Sequence, residues 1–128
     1  AYNPSRINLG SIALYRENEL CVVSPMYEVF RVKEPKKLMP EYLMMWLSRE
    51  EFYRYTWFYS AGSVRDTFNY NLMEEVQIPI PPIEIQQEIV DIYNAYILRK
   101  EINEQLKLQI KNICPVLIKG AVEEAKRS

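Results

Sequence analysis

The spacing of apolar residues changes at one place in the chain, the proline pair Pro81-Pro82. Over residues 76–80 apolar and polar residues alternate, which predicts a short β-strand. After the prolines, apolar residues recur at spacings of four and three for about eight turns, which predicts a long amphipathic helix. We therefore divide the chain into a compact domain, residues 1–82, and a helical region, residues 83–128. A compact domain that leads into a rod-like helix favours a recognition module over an enzyme.

The predicted helix carries a stripe with the heptad spacing of a coiled coil. Arg99 and Asn103 interrupt the apolar stripe near its middle, and polar residues at such positions can fix register or partner number at some cost in stability. Over residues 83–114 the helix would be about 48 Å long, which exceeds the width of a small domain. We therefore expect the stripe to pair with a second helix; docking on its own domain is the alternative. The predicted pairing residues are Ile85, Ile89, Ile92, Tyr96, Arg99, Asn103, Leu106, Ile110 and Ile113.

The end of the helical region is predicted to be a separate, shorter helix. Pro115 should stop or kink the long helix, because proline lacks the N–H that continues the hydrogen-bond ladder. Residues 116–126 then form a last short helix, which Gly120 interrupts. The region is thus expected to be one long helix with a short helical extension.

The first part of the compact domain carries signals of both strands and helices. Residues 20–24 and 27–32 are rich in β-forming residues and are separated by a proline, which predicts two short strands or one broken strand. Residues 35–37 predict a turn. Pro40-Glu41 then suits the first turn of a helix, which we expect over residues 40–55 and packed on more than one face.

The second part is predicted to be a loop, one helical turn and an edge strand. We expect residues 61–63 to break the preceding helix and residues 63–70 to form a loop. Asn71, with Glu74 three residues later, fits an N-cap followed by a single helical turn. The strand before the prolines should lie at a sheet edge, because Pro79 cannot donate to a ladder. The predicted fold class is therefore α+β, with short β-strands and a packed helix followed by a long coiled-coil-forming helix.

Composition narrows the class of protein. A hydrophobic content of 48% and ten tyrosines argue for a folded core and against disorder. The chain has no apolar run near the ~20 residues that span a bilayer, and residues 1–10 lack the pattern of a signal peptide. Cys21 and Cys114 are too few and too far apart for a disulfide scaffold or a zinc site. We therefore expect a reduced, cytoplasmic protein without a membrane partner.

Residues that carry catalysis are scarce in this sequence. It has no histidine, so the commonest general base and the commonest metal ligand are both missing. It also has no nucleophile elbow, no glycine-rich phosphate loop and no metal-ligand spacing. We therefore expect no enzymatic activity, no cofactor and no metal.

Several short motifs of the chain are found together in one protein family. They are Tyr2-Asn3-Pro4, Gly10, Val23-Ser24-Pro25, Tyr27-Glu28-Val29-Phe30, Arg65, Asn71-Leu72, Ile78-Pro79-Ile80-Pro81-Pro82, Gln86-Gln87 and Ile89-Val90. In these motifs the chain resembles the specificity subunit of type I restriction-modification systems. Residues 62–90 are similar to the end of a target recognition domain and the start of the helix that follows it. The earlier motifs are similar to the middle of such a domain, so the resemblance covers nearly the whole chain.

The resemblance implies an architecture and a set of partners. A complete subunit of this family carries two recognition domains and two long helices that pair as an antiparallel coiled coil. Each domain reads one half of a split site in double-stranded DNA, and the helices set the spacing. The subunit does no chemistry itself; it holds methyltransferase subunits, which bind S-adenosylmethionine, and translocase-nuclease subunits. Because this chain is shorter, we expect a C-terminal fragment or a truncated gene product with a partial recognition domain.

The same resemblance directs attention to side chains that can contact DNA. Phosphate contacts give affinity and base-edge contacts give sequence; Arg and Lys suit guanine, whereas Asn and Gln suit adenine. A polar cluster with a cation and amides lies on the predicted loop. The alternative is that these residues are structural: Asn71 caps a helix, Tyr70 lies in the core, and Arg65 pairs with Asp66 or a nearby acid. Three lysines at residues 33–37 form a basic turn that could touch phosphate, or simply a solvated turn. The DNA-binding candidates are Ser63, Arg65, Thr67, Asn69, Tyr70, Lys33, Lys36 and Lys37.

The charge balance supports a second hypothesis. Net charge is −1, with nine basic and ten acidic residues over positions 1–82 and seven of each over positions 83–128. A nucleic-acid binder often has a basic excess, so composition alone gives no support to DNA binding. The alternative is a protein-interaction module that works through helix pairing without contacting DNA. We also expect the chain to self-associate through the stripe from Ile85 to Ile113, because the second helix of the family is absent.

Overall fold

Helices dominate the computed structural model, which describes residues 1–60 and 66–127. A 3₁₀ helix, Ile7–Leu9, comes first in the chain. It is followed by α1 (Pro40–Leu47), α2 (Glu50–Tyr59), α3 (Tyr70–Glu74) and α4 (Ile83–Arg127). The predicted turn at residues 35–37 and the predicted long helix from Ile83 are both confirmed.

The predicted α+β class is wrong, because the described residues contain no sheet. Tyr2 makes isolated antiparallel bridges with Ile12 and with Glu28, and Thr67 is also in a bridge, but these bridges do not extend into strands among the described residues. Residues 20–24 and 27–32 do not form strands. Leu20 and Val22 are fully exposed, with no neighbouring strand or helix over them. Because β-propensity reflects packing against cross-strand neighbours, apolar composition alone does not make a strand here.

The segment before α4 is also not a strand. Pro79, Pro81 and Pro82 have no backbone N–H, so they cannot donate to a ladder. Side chains hold the segment by its carbonyl groups instead. The hydroxyl of Tyr42 donates to the Pro79 oxygen at 3.1 Å, and the amide of Gln86 donates to the Pro81 oxygen at 2.8 Å.

A break divides the helix that was predicted over residues 40–55. The helix begins at Pro40 as expected, but α1 ends at Leu47 and α2 begins at Glu50. The hydroxyl of Ser48 donates to the carbonyl of Met44 at 2.7 Å, a back-bond that competes with the helical ladder. Arg49 then adopts an extended conformation, and α2 runs four residues beyond the predicted end.

The core joins the chain start to α1, α2 and the segment that precedes α3. Its central rings come from different segments: Phe68 lies edge-on to Phe52 with ring centroids 6.3 Å apart, and to Tyr55 at 6.1 Å. Such edge-to-face pairs add to the stabilisation from burial. The buried apolar side chains of this cluster are Tyr2, Ile7, Leu47, Phe52, Phe68 and Met73.

Two compact units make up the chain, Ala1–Val90 and Asp91–Ser128. The first includes the opening turns of α4, where Gln86 and Val90 are buried.

In the second unit, α4 continues through Pro115 to Arg127, so the prediction that Pro115 stops the helix and begins a separate one is wrong. Proline removes one N–H donor, but the surrounding sequence is rich enough in helix formers for the helix to continue. The predicted domain boundary at residue 82 stays a prediction.

Candidate nucleic-acid interface

Within residues 66–71, the side chain of Phe68 is buried in the core and most of its neighbours are exposed. Phe68 is completely buried, and its backbone N–H donates to the carbonyl of Pro4 at 2.9 Å. Asp66, Asn69 and Asn71 on either side of it are exposed. A large buried ring between polar neighbours therefore fixes this segment and turns its polar side chains outward. Among the predicted DNA-binding residues, Ser63 and Arg65 lie outside the described residues, and Thr67 is half-buried.

Asn69 has a structural role as well as an exposed position. Its side-chain oxygen accepts a hydrogen bond from the backbone N–H of Leu72 at 3.2 Å and so caps α3. The single helical turn is confirmed, but its cap is Asn69 and the predicted cap at Asn71 is wrong. Asn71 lies inside α3 with an exposed side chain. The amide of Asn71 is thus displayed on a short, capped helix rather than used to start it.

Tyr70 is neither a core residue nor a fully exposed one. Its side chain is 38% exposed, and its ring lies against that of Phe30 with centroids 6.2 Å apart. Tyr70 lines a shallow groove of about 490 Å³ that Leu38 also lines. The groove therefore runs from the segment with the polar cluster to the end of the turn that carries the lysines.

The three candidate lysines are exposed, but they differ in their partners. The ammonium of Lys37 lies 2.6 Å from a carboxylate oxygen of Glu34, and both side chains are open to solvent. Such a pair is worth little stability, yet it offsets the charge of this lysine. Within residues 1–60 and 66–127, neither Lys33 nor Lys36 has an ion pair. Lys36 is therefore a better candidate for a phosphate contact than its neighbour Lys37.

The predicted pairing stripe is not the face by which α4 docks on the first unit. Gln86 and Val90 are 0% and 3% exposed, whereas Ile85 is 42% exposed and Ile89 is half-buried. At about 100° per residue, Gln86 and Val90 lie roughly a third of a turn away from the line of the stripe. The opening turns of α4 thus use one face for docking and leave most of another open.

In the second unit, taken by itself, the stripe is uncovered. No described side chain of this unit is buried, and the apolar stripe residues are each at least half exposed. Arg99 and Asn103, the polar residues of the stripe, are exposed as well. The apolar residues concerned are Ile92, Tyr96, Leu106, Ile110 and Ile113. An exposed stripe of this length, apolar except for Arg99 and Asn103, is typical of an interaction surface.

Gln86 was singled out from the sequence only as part of the motif Gln86-Gln87, and its structural role was not predicted. Its side chain is completely buried. The amide oxygen accepts from the backbone N–H of Met39 at 2.9 Å, and the amide nitrogen donates to the carbonyls of Lys37 and Pro81, each at 2.8 Å. The signals available in the sequence were that motif and a polar residue four positions before Val90, at the spacing of one helix face.

Comparisons with known proteins identify one family. The family model described as "Type I restriction modification DNA specificity domain" matches residues 5–112. The match crosses the proline pair and therefore includes both the compact unit and most of α4. No curated protein and no solved structure matches the chain. Across the described ranges there is no cluster of metal-ligating side chains, and no helix is long and apolar enough to cross a membrane.

Proposed function

Because the chain belongs to the family of type I restriction-modification DNA specificity domains, we propose that it reads one half of a split DNA site while α4 sets the distance to a second reader. Domains of this family recognise DNA sequence within a restriction-modification system and are non-catalytic. The family match over residues 5–112 is the observation that carries the proposal. It spans the unit with the polar surface and the helix with the open stripe.

The DNA-reading surface in this proposal is built from the segment around Phe68. Thr67, Asn69 and Tyr70 approach base edges or sugar, and Asn69 does so with the part of its amide that does not cap α3. Amide side chains suit adenine edges, and a tyrosine with one exposed edge suits sugar or phosphate. Lys33, Lys36 and Lys37 approach phosphate, with Lys36 as the main contact. Ser63 and Arg65 remain candidates from sequence alone.

The helix in this proposal pairs with a second long helix through the stripe from Ile85 to Ile113. The partner helix belongs to a second copy of the chain or to another recognition subunit, and the paired helices hold methyltransferase and translocase-nuclease subunits in the cytoplasm. The separation of the docked face from the open face supports this, because a stripe used for docking would not be free to pair. The polar residues Arg99 and Asn103 would fix the register.

A salt titration on duplex DNA tests the DNA-reading function. Fluorescence anisotropy with a labelled duplex pool should show binding at low salt, and log K should fall linearly with log salt as counterions are released from phosphate. Absence of binding at the lowest salt would instead favour the interaction module, the alternative that the net charge of −1 and the Lys37–Glu34 pair support. An acidic variant of the turn, Lys36→Glu, serves as the control for phosphate contact.

A further inference from the structure

The opening turns of α4 belong to the first compact unit, and one polar side chain accounts for much of that attachment. Gln86 is 0% exposed, although glutamine is among the residues that are seldom fully buried. Burying an amide is costly unless it is hydrogen-bonded. Here both amide hydrogens and the amide oxygen are used in hydrogen bonds of 2.8–2.9 Å. The side chain is therefore satisfied in this position and would leave orphaned groups behind if it were displaced.

The partners of Gln86 come from three different places in the fold. Met39 is the N-cap residue of α1, whose first N–H groups have no helical partner of their own. The carbonyl of Lys37 belongs to the turn that carries the candidate phosphate contacts, and the carbonyl of Pro81 precedes α4 by two residues. All three partners are backbone groups. One side chain thus fixes the position of the backbone at α1, at the lysine turn and at the proline segment together.

We propose that Gln86 is a positioning residue that locks the start of α4 to the lysine turn and to the beginning of α1. Through this lock the backbone that carries Lys36 and Lys37 keeps a fixed place relative to the opening turns of α4. The consequence for DNA reading rests on the proposed function, whereas the lock itself rests on the hydrogen bonds alone. Loss of the lock frees the lysine turn and residues 83–90 without unfolding the aromatic core.

Hydrogen–deuterium exchange on the full chain tests the lock, and the neighbouring residue supplies a matched control. Gln87 is the same residue type one position later, but its side chain is exposed. In Gln86→Leu we expect amides of residues 37–39 and 83–90 to exchange about tenfold faster, because the loss of buried hydrogen bonds lowers the free energy of local opening. Gln87→Leu should leave those amides unchanged. A uniform acceleration that includes α2, or no acceleration at residues 37–39, would overturn the proposal.

A second variant separates hydrogen bonding from simple packing. Gln86→Glu keeps an acceptor for the N–H of Met39 but sets a carboxylate against the carbonyls of Lys37 and Pro81. Burial raises the pKa of such a carboxyl above its ordinary value of about 4.3, and the protonated form regains one donor. The drop in melting temperature relative to the unaltered chain should therefore be smallest near pH 4 and grow as pH rises through the raised pKa. Gln87→Glu should show no such growth, and a pH-independent deficit in Gln86→Glu would contradict the lock.

The same variants keep this inference distinct from the proposed function. Faster exchange at residues 37–39 in Gln86→Leu supports the lock whether or not the unaltered chain binds duplex DNA. Unchanged exchange removes the lock even if DNA binding is strong. Where the unaltered chain does bind DNA, Gln86→Leu should weaken binding several-fold and Gln87→Leu should not. Equal affinities would show that the lock stabilises the fold but does not affect DNA binding.

Discussion

Helix α4 has one face that is buried against the first unit and another that is exposed. At residues 83–90 the helix buries Gln86 and Val90 in the first unit, with hydrogen bonds to three backbone groups. In the second unit the stripe that begins at Ile92 is uncovered. The apolar stripe of a helix is therefore not always the face that docks on the same chain, because here the docked face includes the polar Gln86 and most of the apolar stripe stays open.

The two units also suit different parts of the proposed function, DNA reading in the first and helix pairing in the second. The first unit has an aromatic core that fixes polar side chains in place, as a sequence reader requires. The described residues of the second unit include no buried side chain, and an ion pair between Lys107 and Glu104 lies on the surface, where it contributes little. The second unit is therefore expected to gain its stability from a partner helix, because long helices in water depend on packing of their apolar face.

The largest expected effect is on helix pairing. We expect the unaltered chain to self-associate, and the double variant Ile92→Glu, Leu106→Glu to abolish it while the first unit stays folded. Each buried Ile or Leu contributes roughly 1.5–3 kcal/mol, so replacing two in each copy should raise the dimer dissociation constant by more than about a thousandfold. Sedimentation velocity across a concentration series measures this change, and circular dichroism checks the fold.

Two leucines of the same helix provide the control for the pairing experiment. Leu98 and Leu108 are 56% and 59% exposed and lie off the stripe. Leu98→Glu with Leu108→Glu adds the same charge to α4 and should leave association largely intact. A clean monomer of the unaltered chain at high micromolar concentration would refute self-association altogether.

The next effect concerns the first unit alone. Phe68→Ala removes the buried ring that anchors the proposed DNA-reading segment, and a substitution of this kind costs about 3–5 kcal/mol of unfolding free energy. Phe58 on α2 is 76% exposed, so Phe58→Ala should stay within about 0.5 kcal/mol. Denaturant titration measures both. Association through α4 should persist in Phe68→Ala, and its loss would mean that pairing depends on the first unit.

Sequence patterns predicted the parts of the fold that depend on local signals. The period of α4 is long and regular, and Pro40 followed by an acid marks the start of α1, so both were predicted correctly. The cap of α3 shows the limit of local signals. Asn71 with Glu74 matches a capping box, but the helix begins at Tyr70, and the side chain of Asn69 accepts from the backbone N–H of Leu72 and so caps it.

Features that depend on distant residues were not predictable in the same way. Residues 20–24 and 27–32 have the composition of strands, but a strand needs a neighbour, and a single sequence does not state whether one is present. Gln86 was missed because its partners at residues 37 and 39 lie 49 and 47 positions earlier in the chain. In the candidate site, Asn69 and Tyr70 were named as DNA-binding candidates, which stays a prediction, and the buried Phe68 beside them was overlooked.

A smaller effect distinguishes two lysines of one turn. Lys36→Ala should weaken binding to any duplex about fivefold and lower the salt slope by about one, because a phosphate contact is lost whatever the sequence. Lys37→Ala should do less, since Glu34 already offsets its charge. Anisotropy titrations at several salt concentrations measure both quantities. Equal effects of the two substitutions would show that the Lys37–Glu34 pair does not persist in solution.

The smallest effect is a gain in stability within the first unit, from a buried hydroxyl. Tyr2 is 0% exposed, and its hydroxyl has no hydrogen-bond partner among the described residues. Burial, with the carboxylate of Glu28 nearby, raises the pKa of this hydroxyl, so it stays protonated and contributes only its desolvation penalty. Tyr2→Phe keeps the ring against Phe30 and should raise the free energy of unfolding by about 1 kcal/mol.

Tyr42→Phe is the matched control with the opposite sign, because the Tyr42 hydroxyl donates to Pro79 and its loss should cost about 1 kcal/mol. If denaturant titration shows both variants destabilised alike, the hydroxyl of Tyr2 has a partner in solution, and the first unit has a polar contact at its centre as well as at Gln86.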